Sequence, residues 1–260
     1  MNWHQLHLRD HIGNVLSNVT KRKQPSIGSL AFSPALGEII KRGTVLGRSG
    51  KVLDTASFST LNNLLILRRL HLTTKASRTL EIGLAMGGSC LVFTQTHKEL
   101  GASPEHQHVA IDPFQRSPWI DEAGLLAVER DNLSGYLDFR EDYSCYVLPG
   151  LIKAGAKFNL VYIDGSHLFE DVFVDFYYVA RLLEEGGIML FDDSTNPHIR
   201  KVVRFVRRNL ASSLPEFDLA PYRPPDIAYR IALALGRVQL RAFQRIASPV
   251  REWDSVYRNF

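Results

Sequence analysis

One short apolar segment that breaks into a glycine turn constrains the fold of this chain more than any other feature. The residues from Thr79 to Ser89 read TLEIGLAMGGS, so a strand that carries Glu81 runs into a turn with Gly83 and Gly87. Glycine has no Cβ, which lets backbone N–H groups approach a ligand closely. The segment predicts a nucleotide-binding strand, turn and helix in which the ligand lies over bare backbone. A purely structural turn is the alternative.

Two common phosphate-binding motifs do not fit this turn. The dinucleotide motif G-x-G-x-x-G requires a glycine two residues after Gly83, and Ala85 stands there. No Gly-Lys-Ser or Gly-Lys-Thr follows, so the P-loop of nucleotide triphosphatases is not matched either. The sequence therefore disfavours a turn that cradles a pyrophosphate.

Three later apolar segments also end in carboxylates. These segments are 108–111 before Asp112, 158–163 before Asp164, and 187–191 before Asp192-Asp193. Right-handed crossovers place the ends of parallel strands at one edge of a sheet, and ligands of doubly wound sheets bind outside that edge. The pattern predicts a doubly wound α/β sheet in which Asp112 binds ribose hydroxyls. A turn-forming Asp before proline is the alternative.

A helix is predicted between the last two of these strands. Apolar residues from Leu168 to Leu183 recur at helical spacing. The pair Gly186-Gly187 is typical of a helix C-terminus, so the helix is expected to end there.

The ordered set of motifs resembles the class I S-adenosylmethionine-dependent methyltransferases. The motifs are Glu81-x-Gly83-x-x-x-Gly87-x-Ser89, Ile111-Asp112-Pro113, Ile163-Asp164-Gly165-x-His167 and Gly186-Gly187 through Asp192-Asp193. They are most similar to the small-molecule O-methyltransferases with an I-D-G-x-H strand end, and the paired Asp resembles the macrocin and catechol O-methyltransferase-like enzymes. The resemblance covers residues 58–235. It implies a Rossmann-like, seven-stranded, mostly parallel sheet with a C-terminal antiparallel hairpin.

The resemblance also implies a set of residues that bind S-adenosylmethionine. The methionine and ribose side of the cofactor would be framed by Glu81, Gly83, Gly87 and Ser89, and the ribose hydroxyls would be bound by Asp112. Ser144 would lie near the adenine. Asp142 is a weaker candidate than Ser144, because the glycine of the related Gly-Asp-Ser turn is missing here.

A divalent metal site is implied by the metal-dependent members of the resembled group. Its ligands would be Asp164, Asp192 and Asp193, and oxygen-only ligation suits Mg²⁺. Bound there, the ion would lower the pKa of an acceptor hydroxyl, so Asp164 would act in catalysis through it. The alternative is a plain loop before a helix, with Asn196 as the N-cap and Pro197 at the first helical position.

The catalytic base is predicted to be His167. Some relatives carry an acidic residue where this chain has Ser166, and serine cannot serve as a strong base. Imidazole can accept a hydroxyl proton near neutral pH. The alternative is that His167 only begins the following helix and binds backbone or the carboxylates.

Length and composition predict one catalytic domain. The 260 residues, of which 45% are hydrophobic, allow one large core and accessory segments. We expect an accessory segment at 1–55, a methyltransferase domain at 56–236 and a helical tail at 237–260. Only Cys90 and Cys145 are present, which fits a reducing compartment. With no signal-peptide or membrane-span pattern, the chain is expected to be soluble and cytoplasmic.

The C-terminal part is predicted to contain a closing strand and a helix. Residues 227–234 alternate apolar and other side chains after 216–219, which predicts the last hairpin, and 237–247 predicts a terminal helix. Residues 198–210 predict a basic amphipathic helix. Nucleic-acid binding is disfavoured, because no recognised module or base-stacking aromatic set accompanies the charge.

The sequence as a whole predicts an S-adenosylmethionine-dependent O-methyltransferase that acts on a small hydroxylated molecule with Mg²⁺. A homo-oligomer is left open, and a membrane partner is not expected. Two alternatives remain, a nicotinamide-dependent oxidoreductase and a non-catalytic cofactor-binding or scaffold protein of the same fold.

Overall fold

A computed structural model of the chain describes residues 32–55, 58–223 and 239–260, together with 231, 234 and 235. The helices are α1 Pro34–Arg42, α2 Leu61–Thr74, α3 Gly88–Glu99, α4 Ala123–Arg130, α5 Ser144–Lys153, α6 Phe169–Leu182 and α7 Pro197–Asn209. The strands are β1 Thr44–Leu46, β2 Val52–Asp54, β3 Thr79–Ile82, β4 His108–Ile111, β5 Leu137–Arg140, β6 Phe158–Ile163, β7 Leu183–Phe191, β8 Glu216–Phe217 and β9 Arg241–Gln244.

The central sheet has seven strands in the order β5-β4-β3-β6-β7-β9-β8. Strands β3 to β7 are parallel, and β9 pairs antiparallel with both β7 and β8. The strand order reverses direction between β3 and β6, which is the switch point at which doubly wound sheets bind ligands. The predicted Rossmann-like sheet with its antiparallel hairpin is confirmed.

Each parallel strand sends alternate side chains into two helical layers. In β6, Leu160 and Tyr162 pack into the core formed with α2, α3 and α4, while Val161 and Ile163 pack into the core formed with α5, α6 and α7. This is the period-2 alternation of a strand buried on both faces, which is why the parallel strands read as continuous apolar runs. The two cores leave only the strand ends open to a ligand.

The described part of the N-terminal segment packs on α4. Ser33 caps α1, and its hydroxyl donates to Asp131 just after α4, at 2.5 Å. The two-stranded hairpin β1–β2 follows, and Arg48 in its turn binds Glu129 of α4 through two hydrogen bonds of 2.6 Å. The predicted accessory segment therefore contacts the helix that covers the glycine turn, as far as residues 32–55 show.

The helix between β6 and β7 ends earlier than predicted. It stops at Leu182, and β7 begins at Leu183, so Gly186 and Gly187 lie within the strand. Gly186 has a φ of 80°. The glycine pair marks an irregular start of the strand, where its pairing with β6 shifts in register, and not the helix C-terminus.

Two C-terminal predictions need correction. Residues 241–244 form β9, where a helix over 237–247 was predicted, so the sheet extends into the predicted tail. The strand predicted at 227–234 falls mostly outside the described residues, and Ile231 and Ala234 are helical. A short apolar run does not by itself distinguish a helix from a strand, and here pairing with β7 decides.

The basic helix α7 is confirmed, together with its cap. The Asn196 side chain accepts from the backbone N–H of His198, and Pro197 occupies the first turn. The apolar face of the helix is buried against α6, and the ring of Phe260 meets that of Phe205 edge to face with ring centroids 5.1 Å apart. Within the described residues, no helix is long and apolar enough to span a membrane.

Candidate active site

The ends of four parallel strands meet at one edge of the sheet, as predicted. The residue after each strand continues the ladder. Gly83 N–H donates to Ile111 O at 2.9 Å, Asp164 N–H to Ile82 O at 2.9 Å, Asp112 N–H to Arg140 O at 3.1 Å and Asp192 N–H to Ile163 O at 3.1 Å. The backbone therefore fixes the glycine turn and three carboxylates side by side across β4, β3, β6 and β7.

Protein backbone fills the space beside the two glycines of the turn. Gly83 has a φ of 92°, and a Cβ there would lie 2.4 Å from the carbonyl oxygen of Asp164. Gly87 has a φ of 84°, and its Cβ would lie 2.9 Å from Cα of Gly124 in α4. The glycines therefore allow the turn to pack against two other backbone segments, and a ligand over the bare backbone of this turn stays a prediction.

Replacing Gly83 by alanine should therefore destabilise the fold strongly. Both the left-handed φ and the contact with the Asp164 backbone oppose a Cβ, and we expect a loss of about 3 kcal/mol in the free energy of unfolding. Urea unfolding measures it. Gly155→Ala is the matched control, since Gly155 has a φ of 68° with nothing within 4 Å of a Cβ. Equal losses in the two variants would contradict the contact with Asp164.

Asp112 is buried and holds the glycine turn. Its Oδ2 accepts from the backbone N–H groups of Leu84 at 3.0 Å and Ala85 at 2.7 Å, and its Oδ1 accepts from Phe114 N–H at 2.7 Å. Ala85 has a φ of 43°, an uncommon value for a residue with a Cβ. The carboxylate thus fixes a strained turn at the switch point, and its role toward a ribose stays a prediction.

The N-terminus of α3 points toward the same edge. Its N-cap is Gly87, which has no side chain to bond the first-turn N–H groups. Ser89 lies in that first turn and is buried. A helix N-terminus of this kind suits an anionic group such as a ligand carboxylate.

Glu81 does not face this edge. It lies on β3 with no exposed surface, and its side chain points into the core beside Cys90 and His108. On a strand the side chains alternate, so Glu81 shares the face of Thr79 that packs on α3. Glu81 is therefore enclosed by protein side chains in this structure, and its predicted role beside the cofactor stays a prediction.

Ser144 is the first residue of α5, and its hydroxyl forms a hydrogen bond with another side chain. Its hydroxyl bonds the carboxyl group of Asp175, which lies buried in α6. Burial raises the pKa of Asp175 to about 7, and one of its oxygens has no hydrogen-bond partner among the described residues. Asp142 is exposed and accepts from the N–H of Tyr143 at 2.8 Å.

An acidic pair lies where β6 and β7 end. Asp192 is buried, and it accepts from the Asn63 side chain at 2.9 and 3.0 Å and from the Tyr162 hydroxyl. Asp164 accepts from the Ser59 hydroxyl at 3.0 Å. Burial raises the pKa of both carboxyl groups, and the charges of Asp192 and Asp193 raise that of Asp164 further. The site holds more negative charge than its surroundings neutralise.

His167 pairs with the last of the three aspartates. Its Nε2 lies 2.9 Å from Asp193 Oδ2, and the side chain is 58% exposed. The hydrogen bond to Asp193 raises the pKa of His167, and the same bond lowers the pKa of Asp193. Gln239 donates to the other Asp193 oxygen at 2.9 Å, so the carboxylate that orients the imidazole is itself held.

The predicted metal ligands are near one another but are engaged by protein donors. Asp164, Asp192 and Asp193 influence one another's charge, yet each accepts hydrogen bonds from side chains. Among the described residues, the group that brings three ligand atoms within 4.8 Å of one another is a different one, Glu81, Cys90 and His108. The Mg²⁺ site stays a prediction.

Sequence reasoning missed several residues that complete the site. Ser59 and Asn63 lie at the start of α2, a helix whose apolar run predicted only sheet covering. Tyr162 was treated as one more apolar residue of β6. The available signal was an amide at position 63 and a hydroxyl at 162 within otherwise apolar elements, because buried polar side chains require partners.

Exposed aromatic side chains lie next to Asp112 and Ser144. Phe114 follows Asp112, and its ring centroid is 6.0 Å from those of both Trp119 and Tyr143. Tyr146 continues the row at 6.1 Å from Tyr143. All four are more than 40% exposed, so they offer ring surface to a flat ligand group.

Comparison with known proteins agrees with this arrangement. Residues 80–194 match the model of a protein family described as a methyltransferase domain. This match indicates a methyltransferase domain at these residues and supports the predicted resemblance to class I S-adenosylmethionine-dependent methyltransferases. The matched segment runs from β3 past the end of β7, so it includes the glycine turn, Asp112, Asp164 and the Asp192-Asp193 pair.

Solved structures of other proteins share the fold of this chain. The O-methyltransferase TomG from Streptomyces achromogenes, in complex with SAM, is 17% identical, with a TM-score of 0.53 over 75% of this chain and 82% of that one. An O-methyltransferase from Bacillus cereus, in complex with SAH, is 15% identical, with a TM-score of 0.56 over 90% and 97%. A putative O-methyltransferase from Klebsiella pneumoniae is 18% identical, with a TM-score of 0.56 over 71% and 82%. No curated protein matches the chain in sequence.

Proposed function

We propose that this domain binds S-adenosylmethionine at the carboxyl edge of its sheet and transfers the methyl group to a hydroxyl of a small molecule. The observation that carries the proposal is the His167–Asp193 pair, set beside the half-buried Asp164 and the buried Asp192 at the edge where the glycine turn lies. Structural neighbours that are O-methyltransferases support the choice of oxygen as the acceptor atom.

The residues at the switch point fit the cofactor. The uncapped N-terminus of α3 suits its carboxylate, Asp112 suits the ribose hydroxyls, and the rings of Phe114 and Tyr143 suit the adenine. When bound, S-adenosylmethionine supplies an electrophilic methyl group. The ribose hydroxyls would donate to Asp112 in place of the N–H groups of Leu84 and Ala85, or together with them. The conformation of the turn would therefore depend on cofactor binding.

The acceptor end of the site is assigned to His167. Its exposed imidazole is open to a hydroxyl bound at this edge of the sheet, and Asp193 orients the ring and stabilises its charged form after it accepts a proton. Asp164 and Asp192 lie deeper, where Tyr162 and Asn63 hold Asp192 in position. General-base catalysis by a positioned side chain typically contributes about 10² to 10⁴ in rate.

Divalent-metal assistance is part of the proposal. The three aspartates offer only hard oxygen donors, which suit Mg²⁺. Burial and the charges of the neighbouring aspartates raise the pKa values of Asp164 and Asp192, so a cation bound here would be stabilised by them. Mg²⁺ at this site would act as a Lewis acid toward the acceptor oxygen. Dependence of the activity on added Mg²⁺ and its loss with a chelator would test this element separately from cofactor binding.

The first test is calorimetric titration of S-adenosylhomocysteine into the protein, with and without Mg²⁺. Saturable binding is expected in wild type, and Asp112→Ala should weaken it at least about tenfold, because a charged hydrogen-bond acceptor is lost from the site. Asp254→Ala is the matched control, since Asp254 is an exposed carboxylate in the C-terminal segment.

Three other results would change the conclusion. No binding in either condition would overturn the proposed function, and saturable binding of NAD(H) instead would favour a nicotinamide-dependent oxidoreductase. Binding that Asp112→Ala leaves unchanged would move the cofactor away from the switch point. Cofactor binding without methyl transfer to any member of a panel of phenols, sugars and polyketide-type alcohols would favour a non-catalytic cofactor-binding protein.

A further inference from the structure

A second cluster of ligand-type side chains lies inside the core, on the α3 side of the sheet. It consists of Glu81 on β3, Cys90 on α3 and His108 on β4, and all three side chains have no exposed surface. Phe93 stacks on the His108 ring, with centroids 4.8 Å apart, and closes the cluster from the helix side. None of the three residues contributes to the proposed methyl transfer.

The three side chains converge on one point. One atom of each, the Cys90 sulfur, a His108 ring nitrogen and a Glu81 carboxylate oxygen, lies within 4.8 Å of the other two. His108 Nε2 is 3.2 Å from Glu81 Oε1. Ligand bonds of about 2.0–2.3 Å in a tetrahedral zinc site place neighbouring donor atoms about 3.3–3.8 Å apart. The spacing is thus close to that of a zinc site, with small inward movements still required.

Some of the polar atoms that face this point form no hydrogen bond of strict geometry among the described residues, although they contact one another. They are both carboxylate oxygens of Glu81 and Nε2 of His108. Their contacts are the 3.2 Å approach of His108 Nε2 to Glu81 Oε1 and a bond between the Cys90 thiol and Glu81. A buried carboxylate with so few well-directed donors is favoured by an additional partner. A single ion at the convergence point would provide a partner for all of them.

Thr79 orients the His108 ring for such a role. The Thr79 hydroxyl lies 2.8 Å from His108 Nδ1 and 2.9 Å from His97 Nε2, and it has one proton to donate. If that proton goes to His97, His108 donates from Nδ1 and its Nε2 carries the lone pair. Histidines that bind metals are held in this way by a hydrogen bond from the other ring nitrogen.

We propose that Glu81, Cys90 and His108 bind one Zn²⁺ ion that ties β3 and β4 to α3. A thiolate, an imidazole and a carboxylate that binds through both of its oxygens would supply four donor atoms of types that suit zinc, whereas Mg²⁺ prefers oxygen alone. One thiolate and one carboxylate also balance the two charges of the ion within an apolar core. Because the site is closed to solvent, the ion acts on structure, and it holds α3 and the preceding glycine turn against the sheet.

The test is the zinc content of the full-length protein, produced in zinc-supplemented culture, purified without chelator and analysed by mass spectrometry of the metal. About one zinc per chain is expected in wild type. Cys90→Ser, which conserves size, should lower this at least about tenfold, and Glu81→Gln should lower it as well. The matched control is Cys145→Ser, since Cys145 is the exposed cysteine and should not affect zinc content.

A cobalt experiment keeps the proposal testable if the variants fail to fold. Wild-type protein produced with Co²⁺ should show thiolate-to-cobalt charge-transfer absorption and the visible bands of a tetrahedral site, which the aspartates at the carboxyl edge cannot produce. Asp192→Asn should leave zinc content unchanged. Wild type without stoichiometric zinc and without the cobalt–thiolate band, or folded Cys90→Ser that keeps its zinc, would overturn the proposal in favour of a metal-free Glu81–His108 ion pair.

Discussion

Substitution of His167 by alanine is expected to lower kcat/KM by about 10² to 10⁴, the usual contribution of a positioned general base. The imidazole is the exposed basic group of the site, and Asp193 lies 2.9 Å from its Nε2. The assay would follow S-adenosylhomocysteine release with an acceptor found by screening phenols, sugars and polyketide-type alcohols. His198→Ala is the control, because His198 is an exposed histidine at the start of α7.

The pH profile separates a base from a residue with a purely structural role. A base must be neutral, and the hydrogen bond to Asp193 raises the pKa of His167 above 6.5. Activity should therefore rise with pH and level off above that raised pKa. Asp193→Asn removes the cause of the shift, so the rising limb should move to lower pH while the maximal rate falls. If the rising part of the pH profile is the same in Asp193→Asn as in wild type, His167 is not the base.

Asp175→Asn is expected to produce the largest effect on stability, and the effect should depend on pH. Burial raises the pKa of Asp175 to about 7 from an ordinary value of 3.8. Below the lower value the carboxyl group is protonated in both folded and unfolded chains. Above pH 7 the carboxyl group ionises freely in the unfolded chain, whereas burial opposes its ionisation in the folded chain. The wild-type carboxyl group therefore lowers the free energy of unfolding at that pH. The difference corresponds to about 4 kcal/mol, at 1.36 kcal/mol for each pKa unit.

The measurement is urea unfolding of wild type and variant at pH 4 and pH 8. The stability of Asp175→Asn relative to wild type should increase by about 4 kcal/mol between the two pH values, because the amide cannot ionise. Comparing the two proteins cancels the pH dependence of other groups, such as His71, whose pKa burial lowers to about 4. Asp254→Asn controls for the loss of one charge. A relative stability that stays constant with pH would show that Asp175 does not titrate in the folded chain as its burial implies.

The sheet and its acidic edge were predictable because each relevant strand is an apolar run that stops at a carboxylate. Right-handed crossovers place the carboxyl ends of parallel strands at the same edge of the sheet, so Asp112, Asp164 and Asp192 lie in one row. The cap of α7 by Asn196 was predictable for a similar reason, since the Asn-Pro pair acts locally.

The rest depended on contacts between distant parts of the chain. Nothing local to Asn63 indicates that it binds Asp192, which lies 129 residues later. The alternation of β3 could show that Glu81 and Thr79 share a face, but only the position of α3 shows that this face is the core. Strand β9 was missed because four residues are too few for a period to be recognised, and its pairing with β7 decides its structure.

The insertion of β9 between β7 and β8 has a consequence for synthesis on the ribosome. Met189 and Leu190 of β7 pair with Phe243 and Ala242, so one edge of an apolar strand stays unpaired until the chain has grown some fifty residues beyond it. During that interval the nascent domain exposes a strand edge of the kind that pairs with other chains. We therefore expect the yield of native protein to depend on translation rate and chaperone supply more than its final stability would indicate.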